Sequence, residues 1–328
     1  MNIQLSDHFN YKKLFLFTLP SVVMMVFTSV YCVVDGFFVS NFAGKTAFAA
    51  INLIMPFIMI LGGIGFMIGT GGSALVSYTL GTGDKEKANR YFSMMVYFTI
   101  LAGILLTVLG IIFVRPIAEL FGADESMMDT CVLYGRIVIA FNAAFMLQNI
   151  FQSFFVVAEK PRLGLIVTIA AGVTNMVLDA LFVGVFKWGI VGAALATGIS
   201  QSIGGLLPLL YFALPNNSPL QLTRTGFELA PLLKASSNGC SELMSNVASS
   251  LIGIVYNYQL MRLGGENAVA TYGVLMYIQF VFIAIFIGYS VGSAPIIGYH
   301  YGAGNFKELQ NMRRKSLKIM SISGVLMA

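Results

Sequence analysis

Eight apolar runs, each at least 23 residues long, divide the chain: 14–41, 47–70, 91–114, 130–158, 163–186, 190–212, 236–260 and 268–297. A ninth opens near Ser316. A helix rising 1.5 Å per residue crosses ~30 Å of hydrocarbon in about 20 residues, so each complete run is long enough to span a bilayer. The runs lack the alternation of barrel strands, and a backbone in lipid must satisfy its own hydrogen bonds, so helix is the reading. The first run is too long for a signal-peptide core and lacks a small-residue cleavage site, so it is expected to be retained. Of the 328 residues, 57% are hydrophobic and 10% charged. That balance excludes a cytosolic enzyme, a disordered chain and a disulfide scaffold.

The net charge of +5 is a topology signal. With the amino terminus placed inside, fourteen of the 19 Lys and Arg fall on inner connections, and Lys45, Arg115, Arg136, Lys187 and Arg262 fall on outer ones or span ends. The asymmetry puts the amino terminus in the cytoplasm of a multi-pass cell-membrane protein and removes the case for a nucleic-acid partner. Cys32, Cys131 and Cys240 match no metal or redox spacing and are expected to be small apolar core residues. His8 and His300 are expected near the cytoplasmic surface, and neither has metal-ligand neighbours in the sequence.

The chain repeats itself. Residues 71–89 align without a gap on residues 292–310, an offset of 221, with Gly71, Tyr78, Gly81 and Gly83 falling on Gly292, Tyr299, Gly302 and Gly304. A repeat of six spans is even, so both copies enter the membrane in the same direction about an axis along the membrane normal. The expected organisation is a complete six-helix lobe over 1–213, a cytoplasmic inter-lobe linker over 214–235, and a partial second lobe over 236–328 with helices seven, eight and part of nine. On this pattern the chain looks like a truncated version, a fragment, of a protein of twelve spans.

Three acidic residues fall within spans: Asp35, Asp179 and Glu242. A carboxylate at the bilayer centre costs ~2.5 kcal/mol or more, so it is neutralised, paired or placed in a wet cavity. Counting from span ends puts Asp35, Asp179 and Thr197 level, about 9–11 Å below the outer surface. Tyr31 precedes Asp35 by four residues and Asn175 precedes Asp179 by four, so each pair shares a helical face. Two carboxylates, an amide, a hydroxyl and a phenol suit a site that alternates between protons and Na⁺. Glu242 marks a second acidic position, on an inner vestibule or in coupling. Gly44-Lys45-Thr46 lacks the upstream glycine of a phosphate loop, Gly65 and Gly69 form a small-residue packing face, and Pro20, Pro56, Pro208 and Pro295 mark kinks.

The run Asn175-Met-Val-Leu-Asp179, followed by Trp188-Gly-Ile-Val-Gly-Ala-Ala-Leu-Ala-Thr197, resembles the fifth-to-sixth-span signature of the MATE (multidrug and toxic compound extrusion) transporters. So do Val34-Asp35-Gly-Phe-Phe-Val39 with Pro20 upstream, and the Gly81-Thr-Gly-Asp84 loop. The resemblance is closest to the bacterial MepA-like branch. It implies an all-α, two-lobe membrane bundle and a cation site of Tyr31, Asp35, Asn175, Asp179 and Thr197. It also implies efflux of organic cations and drugs by antiport with H⁺ or Na⁺, with no cofactor and no catalytic residue. The protein is expected to be monomeric in the lipid bilayer. The alternatives are a lipid-linked oligosaccharide flippase, which would line its cavity with several Lys or Arg, and an intramembrane enzyme, which would need a nucleophile–base pair or a metal triad within the spans.

Overall fold

The computed structural model describes residues 3–123 and 125–327; the side chains of residues 43, 45, 46 and 126, and of many between 254 and 278, lie outside the description. Within it the chain is helical and strand-free. The helices are α1 (Tyr11–Phe38), α2 (Lys45–Gly81), α3 (Lys85–Leu120), α4 (Glu125–Ala140), α5 (Asn142–Val157), α6 (Pro161–Asp179), α7 (Gly189–Ala213), α8 (Leu229–Gly302) and α9 (Phe306–Met327). Six helical stretches among the described residues are long and apolar enough to cross a membrane, and α4 with α5, bent by 54° at Phe141, makes a seventh. The run expected as one straight span over 130–158 is thus broken in two. The run 236–260 is not among the qualifying stretches, because its opening carries Ser236, Ser237, Asn238, Ser241, Glu242, Ser245 and Asn246.

Lipid contact explains which side chains face outward. On α3, Leu101, Ile104, Leu105, Val108, Ile112 and Phe113 are each more than half exposed, a helical stripe that water would penalise and hydrocarbon accepts. The opposite side of the bundle is packed: Phe92, Phe151, Phe154, Phe155 and Phe212 are buried, with Phe212 5.0 Å from Phe92 and 5.3 Å from Phe155 between ring centroids. Gly65 and Gly69 do pack helices. A Cβ on either would come within 2.6 and 2.9 Å of the α5 backbone at Met146 and Ile150.

The helix α8 spans 74 residues, which a straight rod would stretch over roughly 111 Å. Instead it doubles back. The rings of Tyr256 and Tyr272 stack at 5.4 Å, and Lys234 near its start and Tyr301 near its end both lie against Tyr78 of α2. The two limbs stand where spans seven and eight are expected. The expected linker is shorter than 214–235, since residues 229–235 already belong to α8. Its remainder is strapped along α3: Asn89 Oδ1 accepts the Gln221 N–H at 3.0 Å and Ser93 Oγ accepts the Thr223 N–H at 2.8 Å.

The 221-residue offset has a physical counterpart. Gly83 and its mate Gly304 both hold the left-handed backbone that glycine permits, at φ 88° and 67°. Asp84 and its mate Asn305 both cap the helix that follows, accepting the N–H of Lys87 and of Glu308. Across the interface the contacts are reciprocal. A Cβ on Gly81 would overlap the Tyr299 carbonyl, and one on Gly302 would overlap the Tyr78 carbonyl. Likewise Gly71 meets Gly239 while Gly292 meets Thr18. Each pair is the other displaced by 221 in both partners, the signature of a self-complementary two-fold contact.

These close approaches gather at the end of the bundle that holds the amino terminus. There Gly288 presses on Val22 of α1 and Gly239 on Met67 of α2. Beyond them, from Val26 to Phe38, α1 is half-buried or exposed along its whole length. The molecule is sealed at its basic end and looser at the other.

Candidate functional site

Helix packing brings α1 and α6 together through small residues. Gly172 leaves room for the rings of Phe27 and Tyr31, and a Cβ there would come within 2.6 Å of Phe27. One turn beyond Tyr31 on α1 and two turns beyond Gly172 on α6, the carboxyls of Asp35 and Asp179 approach closely enough to interact directly. Asp179 is fully buried and Asp35 half-buried, so access from the looser end passes Asp35 first.

The pair has no counter-charge among the described residues. No Lys, Arg or His forms an ion pair with either residue among those described, and Asp35 Oδ1 and both Asp179 oxygens are buried without a hydrogen-bond donor. Ionised carboxylates only accept, so two of them side by side need a proton or a cation between them. Leaving both charged and bare would cost several kcal/mol. Asn175, 2% exposed, stacks one turn before Asp179 and its Oδ1 is also without a partner. Tyr31 lies by Asp35, with its hydroxyl near the Gln148 side chain of α5.

Two groups that sequence reading passed over complete this ring. Gln148 is 4% exposed, seated where Gly204 of α7 has no side chain; a Cβ there would lie 2.7 Å from its Cδ. Tyr134 of α4 is fully buried with an unpartnered hydroxyl and feels the charge of both Asp35 and Asp179. A buried amide in the run 130–158 was a visible signal, whereas Tyr134 was one aromatic among many. Both carboxylate helices also loosen into wider π-turns next to the acids, at Val39–Ala43 and Ala180–Val185, a distortion frequent at functional sites. Thr197 is half-buried on α7 and makes no hydrogen bond among the described residues, so its oxygen is not joined to the pair.

Glu242 lies apart, in a cavity of roughly 350 Å³ where α2, α5, both limbs of α8 and α9 meet, beside Thr70, Ser73, Ser153 and Ser290. Among the described residues no group of three or more His, Cys, Asp or Glu could hold a metal ion. Cys131 is buried, as expected of a core residue, but Cys32 and Cys240 are exposed, because their helices turn those positions outward. His300, expected near the surface, is 2% exposed, with the backbone of Asp7 in the amino-terminal segment against it.

Comparison with known proteins decides the family. The MatE family model matches residues 20–181 and 243–328. The chain belongs to the MatE family. It is an all-α, multi-pass membrane transporter and not an enzyme. It is 24% identical over 315 residues to the multidrug export protein MepA of Staphylococcus haemolyticus, covering 95% of this chain and 68% of that protein. To MepA of Staphylococcus saprophyticus it is 25% identical over 295 residues, covering 89% of this chain and 64% of that protein. The chain therefore spans about two thirds of the length of these relatives. Among solved structures, a multidrug resistance MATE family transporter of the MOP superfamily in an outward-facing conformation superposes with a TM-score of 0.90 at 21% identity, over 97% of this chain and 71% of that one. A MATE crystal structure in the bent conformation gives 0.85 at 21% identity, over 96% and 71%. These MatE folds share the helical bundle described above.

Proposed function

We propose that this MatE protein exports apolar organic cations and drugs across the cell membrane by exchange for H⁺ or Na⁺ held between Asp35 and Asp179. The observation that carries the reading is the bare carboxylate pair: two acids close together inside a helical lobe, without a counter-charge among the described residues. Asn175, Tyr31, Gln148 and Tyr134 supply neutral oxygens around them, suited to a small cation in one state and to protonated carboxyls in another. Thr197 lies on α7 between Gly192, which packs on Phe182, and Ser200, whose hydroxyl donates to the Ala171 carbonyl of α6, so a rotation of its side chain is enough to bring its oxygen into this set.

The exchange follows from charge. Filling the pair with a proton or Na⁺ removes its repulsion and lets α1 bend near Pro20, narrowing the open end and displacing a cationic substrate. A one-for-one exchange with a monovalent drug moves no net charge, so the drive is the gradient of the entering ion: a tenfold H⁺ or Na⁺ gradient, about 1.4 kcal/mol, sustains about a tenfold opposing gradient of drug. Glu242 adds a second acidic position on the path between the lobes. The reading takes the amino terminus as cytoplasmic, residues 1–213 as the first lobe, 236–328 as part of the second, and a single chain as the working unit. A flippase for a pyrophosphate-linked sugar would need clustered basic groups in the cavity. The candidate for one, Arg136, is exposed on α4.

The experiment is efflux of a cationic dye from cells expressing the protein, with imposed pH and Na⁺ gradients in turn. Efflux driven by one gradient, and lost in Asp35→Asn and Asp179→Asn at unchanged membrane expression, supports the reading. Normal gradient-driven efflux by both variants rejects it.

A further inference from the structure

The segment before α1 is bound to both halves of the molecule. Leu5 and Phe9 are 1% and 0% exposed, inserted into an apolar cluster that draws on α1, α5, α8 and α9. On one side, the Leu5 N–H donates to Glu159 Oε1 in the turn between α5 and α6, at 2.7 Å. On the other, Glu308 of α9 accepts from the Phe9 N–H at 2.9 Å and pairs with His8 Nδ1 at 2.5 Å. The Phe9 carbonyl in turn accepts from Asn311 Nδ2 at 3.0 Å and from Lys315 Nζ at 2.5 Å. Burial opposes the Glu308 charge, but these donors outweigh it and hold its carboxyl below the usual range.

The segment is covalently part of α1, which packs on α6, while α9 follows the second limb of α8. The bonds around Glu308 therefore cross from one repeat to the other, at the end where the glycine contacts seal the bundle. Separating the repeats at that end would strand a buried carboxylate and unpair both main-chain groups of Phe9.

We infer that residues 3–10 are a latch that holds the basic end of the transporter shut, with Glu308 as its catch. The latch is a second device beside the ion site: it sets how often that end opens, whatever drives the opening. It rests on the alternating-access reading only for its purpose, and its test needs no transport.

The test uses the full chain in inside-out membrane vesicles, where a membrane-impermeant reagent added outside meets only the basic end, with one reporter, Ser73→Cys, in the cavity behind the seal, where the serine is 3% exposed. Its reaction rate with a bulky maleimide, read by peptide mass spectrometry, reports opening. Removing the catch with Glu308→Ala is expected to speed labelling about tenfold or more, as loss of charge-assisted hydrogen bonds implies. Phe9→Ser should act in the same direction, and Glu308→Gln, which keeps an acceptor for the Phe9 N–H, should fall between. If Glu308→Ala does not fold, Glu308→Gln and Lys315→Met are read in the same way. Unchanged labelling in folded variants that elute and melt as the parent does would overturn the latch.

Discussion

Asp179 and Glu308 are both carboxylates that the fold has buried, and their surroundings are opposite. Glu308, 5% exposed, is met by a backbone N–H, an imidazole and an amide. Asp179, 0% exposed, and its neighbour Asp35 meet each other and no cation among the described residues. A buried acid that the protein satisfies is part of its framework. One without donors among the described residues is suited to an ion that comes and goes, because the cost of its burial is otherwise unmet. The contrast separates the two ends of the molecule, with a sealed, hydrogen-bonded basic end and a looser end that leads past Asp35.

The comparison breaks first if the bare pair can be removed without consequence. Asp179→Asn is expected to reduce gradient-driven dye efflux to the level of cells lacking the protein, measured in whole cells at matched expression. Its stability should hold or rise by up to about 1 kcal/mol in thermal unfolding, since a repelling charge is gone. Glu308→Ala should do the reverse to stability, costing about 3 kcal/mol as a hydrogen-bonded charge cluster is lost. A loss of stability in Asp179→Asn larger than in Glu308→Ala would erase the distinction.

The seal can be sharpened through its symmetry. Gly81→Ala and Gly302→Ala each force a methyl into the mate helix's carbonyl and are expected to cost about 1–3 kcal/mol each, by closely matching amounts. Gly324→Ala, with nothing within 4 Å, should instead gain up to about 1 kcal/mol from helix propensity. Unequal costs at Gly81 and Gly302 in thermal unfolding would argue against the reciprocal interface. The smallest effect is expected at Tyr134→Phe. Deleting an orphaned hydroxyl should leave stability within about 1 kcal/mol, while the pH dependence of efflux moves because a neighbour of both acids has changed.

Much of this was legible in the residues. The length of the apolar runs sets the helices, and the 221-residue offset anticipates the matched caps at Asp84 and Asn305. The spacing of Tyr31 from Asp35, and of Asn175 from Asp179, anticipates which faces turn inward, because a helical face is a local property. What needed three dimensions was the partner of each face. Nothing local says that Tyr134 and Gln148 close the ring, that Phe141 bends a span, or that Thr197 makes no hydrogen bond to the pair among the described residues. Glu308 reads as one more charge in a basic stretch until the amino-terminal segment is folded against it. Cys32 was misjudged for the same reason, as burial is decided by neighbouring helices rather than by an apolar sequence context.

The central claim is that Asp35 and Asp179 together hold one exchangeable cation, and a proton count tests it most directly. Purified protein in weakly buffered detergent solution, given a cationic substrate, or Na⁺ in a separate titration, should release about one proton per chain as the pair is vacated or refilled. The Asp35→Asn/Asp179→Asn variant should release none, and should bind the added cation more weakly than the parent. A double variant that releases the same proton count as the parent would contradict the account.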